Sequence, residues 1–289
     1  MACLRCKLIF ALLVLSSPRA GLEQQTARGQ ETAELVSWQV PHEHNRWARF
    51  QLGAWKIERS VTEALAESGA ISHTSIATTT TTLADVAEKD YQLTTHRTVD
   101  VDGKRLSAEP QTTRYDLFDQ SGAPATTVRS AATATVHVDG TPVACQVYRL
   151  ETASDQGKEL TTIYYAEDFS PYVLRRETRL TDANGKNNLS ERTEEVVHLR
   201  LRRKVLGTLL WTSQVKTVQR NSKGSTVTVA YRCERIPGEV VEQMSTEFDS
   251  AGKAIRCSTL ELIGYGCESR SVHAVPQYQP RPRRLRRAR

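Results

Sequence analysis

The stretch from Val138 to Lys186 returns 67 positions further on without a gap. Val138 falls on Val205, Gly140 on Gly207, Thr141 on Thr208, Gly157 on Gly224, Thr161 on Thr228 and Tyr164 on Tyr231. Glu167, Val173, Asp182, Gly185 and Lys186 fall on Glu234, Val240, Asp249, Gly252 and Lys253. Self-similarity at one period marks a repeated supersecondary unit, so it constrains the fold before any single motif does. The unit reads as β. Turn pairs such as Asp139-Gly140, Gln156-Gly157, Asn184-Gly185 and Lys223-Gly224 punctuate Thr/Val/Tyr/Ile-rich runs, the pattern of strands joined by tight turns.

Residues 226–233 alternate: Val227, Val229, Tyr231 and Cys233 on one side, Thr226, Thr228, Ala230 and Arg232 on the other. That is the period of a half-buried antiparallel strand. Each copy, 138–202 and 205–266, therefore predicts about four strands, and a looser copy over 50–115 echoes their Gly-Thr, Gly and Gly-Lys order. Ser190 and the charges after it could cap a helix, but the offset lays Glu194 on Glu261 inside a strand-like run, so 190–204 also reads as strand. The expected fold is all-β or nearly so: one curved antiparallel sheet or half-barrel built from four-stranded units of about 67 residues, in a single domain over 47–268. A chain of 289 residues is long enough to bury its own core without disulfides.

The ends read differently. Arg5 and Lys7 precede the apolar run Leu8–Leu15, too short to cross a bilayer and patterned as a secretory signal. Residues 1–20 are expected to be that signal, and the chain extracytoplasmic. Residues 21–46 form a polar lead-in, and Trp38, Trp47, Phe50 and Trp55 then supply aromatic anchors that pin the chain to the core. Residues 269–289 are Pro- and Arg-rich and are expected to be disordered. The net charge of +6 lies in the ends. Without the signal region and the tail arginines Arg281, Arg283, Arg284, Arg286, Arg287 and Arg289, the body is near −3. It offers no electrostatic case for nucleic acid, whereas the tail suits docking on an anionic lipid or envelope surface.

Chemistry is sparse. No GxSxG elbow, phosphate-binding loop, dinucleotide fingerprint or HExxH occurs, so no catalytic residue is assigned and the protein is expected not to be an enzyme. Cys145, Cys233, Cys257 and Cys267 allow three pairings in an oxidising compartment and show no metal-ligand spacing. No cofactor and no metal are expected. His42 and His44 would share a face if they lay on a strand, but no third ligand accompanies them. Asn188-Leu189-Ser190 matches a glycosylation sequon. Glu167 and Glu234 recur at the period, which favours a structural role in turns.

The segment Tyr164 to Gly185 runs from an aromatic strand through an acidic turn to a proline-led strand with a basic-then-acidic pair and an Asp-x-x-Gly turn. Its marked positions are Tyr164, Tyr165, Glu167, Pro171, Arg175, Glu177, Asp182 and Gly185. The second copy keeps Tyr231, Glu234, Pro237, Asp249 and Gly252, with Glu242 and Met244 in place of the charged pair. This hairpin resembles one in bacterial lipoprotein-carrier-like proteins of the LolA, LppX and RseB group. The resemblance implies a half-barrel whose concave face holds an acyl chain or another apolar or amphipathic ligand, and the chain departs from the group in lacking helices to plug the concavity. The function expected is non-catalytic ligand binding outside the cytoplasm. The alternatives are a structural or surface-interaction protein docking through its basic tail, and a hydrolase with an unrecognised site. No ligand-binding residue is assigned.

Overall fold

The computed structural model describes residues 38–101, 103–120, 127–154 and 157–267. The expected signal at 1–20, most of the expected lead-in and the arginine tail lie outside them. Among the described residues a single 3-10 turn, His42–His44, precedes fourteen strands. The first five are β1 (Trp55–Leu65), β2 (Ile71–Val86), β3 (Asp90–Val101), β4 (Lys104–Ser107) and β5 (Gln111–Asp116). Then come β6 (Thr127–Val138), β7 (Thr141–Ser154), β8 (Gly157–Tyr165), β9 (Val173–Thr181) and β10 (Asn188–Val205). The last four are β11 (Thr208–Asn221), β12 (Gly224–Arg232), β13 (Val240–Asp249) and β14 (Ala254–Gly266).

All belong to one antiparallel sheet in the order β4-β3-β2-β1-β14-β13-β12-β11-β10-β9-β8-β7-β6, with β5 also on β3. The sheet is curved and does not close into a barrel. Strand β1 starts in its interior, and the chain meanders out through β2 to β5. It re-enters at the opposite edge with β6 and meanders back until β14 pairs with β1. Strands β7, β8 and β9 begin at 141, 157 and 173, and β11, β12 and β13 at 208, 224 and 240, each 67 later. The turns match too. Asp182 accepts the Lys186 backbone N–H at 2.9 Å and Asp249 that of Lys253 at 2.9 Å. Tyr164 packs on a cluster that includes Val138, Val143, Ala166 and Leu174, and Tyr231 on one that includes Val205, Leu210, Cys233 and Val241, the same positions 67 later.

Gly157 (φ +144°) and Gly224 (φ +147°) open β8 and β12 in a left-handed conformation, where an added Cβ would collide with the backbone carbonyl oxygens of Thr181 and Phe248. Gly157→Ala and Gly224→Ala should each lose more than about 1 kcal/mol of stability. Gly69→Ala, at a turn with open space around it, bears only the conformational cost. Thermal melts of the three variants check this ordering.

The main core shows the curvature. Leu83 and Leu93 of β2 and β3 share one cluster with Leu150 and Ile163 of β7 and β8 from the far side of the sheet. Between them lie Val40, Trp47, Ala48 and Ala54 of the segment ahead of β1 and Leu117 and Phe118 after β5. The concavity is thus plugged by the chain's own N-terminal approach. The aromatics act as anchors: Trp38 stacks on Tyr148 at 3.4 Å, and Trp47 is buried.

Candidate functional site

An irregular segment inside a sheet needs partners for its backbone groups, and Asn45 supplies them. Its Oδ1 accepts the N–H groups of Trp47 and Ala48, both at 2.9 Å, and its Nδ2 donates to the Leu117 carbonyl at 3.0 Å. The Gly238 N–H donates to the Arg46 carbonyl at 2.9 Å, tying the plug to the turn between β12 and β13. These bonds turn Arg46 and Arg49 inward. Arg49 pairs with Glu239, and Arg46 Nε lies 3.2 Å from Asp119 Oδ2. Asp119 also accepts the Tyr91 hydroxyl at 2.7 Å. Burial and the Asp119 charge hold the Tyr91 phenol well above its ordinary range.

The sheet brings further charges to the same place. Across neighbouring strands, Ile163, Arg176, Glu194, Thr217, Thr228, Ser245, Ser258 and Thr62 stand opposite one another in turn. Directly opposed residues share a face, so this row, which starts at the core residue Ile163, crosses the concave face. It is polar for most of its length. The Thr228 hydroxyl bonds that of Ser245 at 2.8 Å. Glu194 receives Arg232 Nη2 at 2.9 Å and Arg192 Nη2 at 3.1 Å. Burial alone pushes the Glu194 carboxyl up. Arg232, Arg176, Arg192 and Arg46 together outweigh it and hold the group far below the ordinary 4.5.

Between plug and sheet these side chains enclose a cavity of about 320 Å³, lined by Arg46, Arg176, Arg192 and Arg232 and by Asp119, Glu159, Glu194 and Glu239 among others. A second, more open groove of about 500 Å³ adjoins it, with Pro171, Arg232 and Glu239 common to both. The groove carries Phe169 from the β8–β9 connection and Leu209 and Trp211 from β11, all exposed. The Arg202 guanidinium sits 4.7 Å from the centre of the Trp211 ring.

The apolar part of the concave face is covered by the chain's own plug, and the space left there is charged; the adjoining groove carries exposed apolar side chains. His42 and His44 do not share a strand face. In their 3-10 turn, His42 Nε2 contacts the Glu88 carbonyl at 3.0 Å, and His44 bonds Tyr165 and stacks on Tyr172 at 3.7 Å. Glu167 and Glu234 are exposed in the turns after β8 and β12. The tail arginines Arg281, Arg283, Arg284, Arg286, Arg287 and Arg289 lie outside the described residues. Sequence reasoning missed Arg46, Arg176, Glu194 and Glu239. The alternation in β12 did put Arg232 opposite Tyr231, on the side of Thr228, and that side is the concave one.

The four cysteines among the described residues are unpaired: Cys145, Cys233 and Cys257 are buried and Cys267 is exposed. Burial raises the Cys145 and Cys233 thiols, which further slows their reaction as thiolates. Peptide mapping after native maleimide treatment should find Cys267 labelled and the other three protected until the protein is unfolded.

No family model and no curated protein matches the chain. Among solved structures it is similar to a candidate exported protein with a YmcC-like fold from Bacteroides fragilis. The identity is 11%, the TM-score 0.31, and the match covers 74% of this chain and 97% of that one. It is also similar to a candidate lipoprotein from Parabacteroides distasonis, at 10% identity and TM-score 0.31 over 73% of this chain and 95% of that one.

Proposed function

We propose that this is a non-catalytic, extracytoplasmic binding protein for an amphipathic ligand, whose apolar part lies in the outer groove and whose polar part enters the inner cavity. The observation that carries this reading is the common wall. Arg232 and Glu239 border a charged cavity on one side and a groove bearing Phe169, Leu209 and Trp211 on the other. Ligand sites usually pair apolar walls with a few placed polar groups. The leader-like start, Arg5 to Leu15, and the hairpin's resemblance to lipoprotein carriers support the same reading.

Titrating the protein with alkyl amphiphiles below their micellar concentrations tests it. Trp211, 58% exposed, should become shielded, with a blue shift in emission that Trp211→Ala removes. Affinity should rise about ten-fold for every two carbons added to the chain, at ~0.8 kcal/mol per buried CH₂. Affinity independent of chain length, or a shift that survives in Trp211→Ala, would count against the groove.

The polar row across the concave face favours a second reading, a structural envelope protein whose sheet is a platform and whose six tail arginines dock on an anionic surface. Electrostatic docking is weakened by salt, because the Debye length falls to about 3 Å at 1 M. Deleting 276–289 should then abolish salt-sensitive retention on anionic liposomes and leave amphiphile binding unchanged. Equal retention of the truncated and full chains at low salt would reject this role for the tail.

A further inference from the structure

We infer that the inner cavity is an anion site, so that the ligand's polar end is a carboxylate or a phosphate held chiefly by Arg176. The inference deepens the amphipathic reading and relies on it for the apolar half of the ligand. It follows from matching donors to acceptors. Every carboxylate lining the cavity is already engaged. Asp119 accepts from Tyr91 and faces Arg46, and Glu194 holds Arg192 and Arg232. Glu239 holds Arg49, and Glu159 accepts from Gln120 at 3.0 Å. What remains is donor capacity. The Arg176 side chain makes no direct ion pair or hydrogen bond among the described residues, although Glu194 feels its charge, and its Nε is sealed from solvent without an acceptor. The Nε groups of Arg46 and Arg232 are in the same condition; the Arg46–Asp119 contact is close but poorly aligned.

A guanidinium offers five N–H donors and no acceptor, and leaving such donors buried and unmatched is costly. A group that only accepts, with two or three oxygens in one plane or fork, matches them. A neutral hydroxylated head would bring donors of its own to a wall whose carboxylates are already engaged. A cationic head would meet Arg176 directly.

The test compares four ligands by calorimetry: decanoate, decyl phosphate, a neutral decyl glycoside and inorganic phosphate. The two anionic amphiphiles should bind about ten-fold or more tighter than the glycoside. Arg176→Gln should bring them down to the glycoside's level without weakening the glycoside. Arg176→Lys, which keeps the charge but loses the fork, should restore only part of the difference and gives a second variant should the first fold poorly. Equal binding of glycoside and anionic amphiphiles would overturn the anion site while leaving the amphipathic reading intact, with water then satisfying the guanidiniums. Binding of inorganic phosphate as tight as decyl phosphate, lost in Arg176→Gln, would uphold the anion site and remove the apolar groove from the ligand's path.

Discussion

Replacing Glu194 with alanine should cost about 3–5 kcal/mol of folding stability, a fall in melting temperature of about 6–20 °C for a domain of this size. Glu194 and its partner Arg232 are each 14% exposed, so their attraction is little screened by water. Without the carboxylate, Arg232 and Arg192 lose their shared acceptor, and Arg46 and Arg176 add like charge to the same cavity. Glu191→Ala, on the same strand but well exposed, should change stability by no more than about 0.5 kcal/mol. The pH dependence carries a definite sign. The folded state holds Glu194 below its ordinary 4.5, so the unfolded chain binds the extra proton in the interval between the two values. The stabilisation is therefore complete above about pH 4.5 and is lost as pH falls toward the folded value. The stability gap between wild type and Glu194→Gln should narrow on acidification, as chemical denaturation from pH 7 downward would show. A gap that widens would mean the carboxyl is protonated in the folded protein.

Trp47→Ala should be of similar size, about 3–5 kcal/mol. The indole is 4% exposed and lies in the cluster that joins both ends of the sheet. It presses on the backbone of Gly238, where an added Cβ would come within 2.8 Å of Nε1. It also covers Lys56, whose Nζ is 5.8 Å from the ring centre and 2.6 Å from Glu58 Oε1. Burial already lowers the Lys56 pKa, against the pull of Glu58. Removing the ring leaves a void and a poorly sheltered ion pair at once. Because Trp47 bridges β2–β3 and β7–β8 through the plug, urea unfolding should show a lower midpoint. If the ends of the sheet come apart first, the slope should fall as well. A loss under about 1 kcal/mol would mean the plug is not what holds the concave face together.

Much of the architecture was legible because strands declare themselves locally. The glycines at 157 and 224, the Asp-x-x-Gly turns at 182 and 249 and the two-residue alternation of β12 are each settled within a few residues, and the strands start where those signals end. The identity of the plug was less legible. Trp38, Trp47 and Phe50 announced anchoring, but their docking site is made by Leu83, Tyr91, Leu150 and Ile163, which only the curvature of the sheet brings together. The charged cavity was hidden for a related reason. Arg176 lies between Arg175 and Glu177, which pair with each other at 2.5 Å on the opposite face, and on paper the three look like one solvated charge run. Arg192 and Glu194 are two apart and so share a face. Nothing local says that this face is the enclosed one, or that Arg46 and Glu239, 193 positions apart in the chain, meet across it.

Native mass spectrometry of the mature protein, purified without detergent from its own source, tests the central claim most directly. The account predicts a population carrying one bound acidic amphiphile, released on collisional activation and strongly reduced in Arg176→Gln. Finding only the bare polypeptide mass in both proteins, with no adduct when decyl phosphate is added, would contradict it.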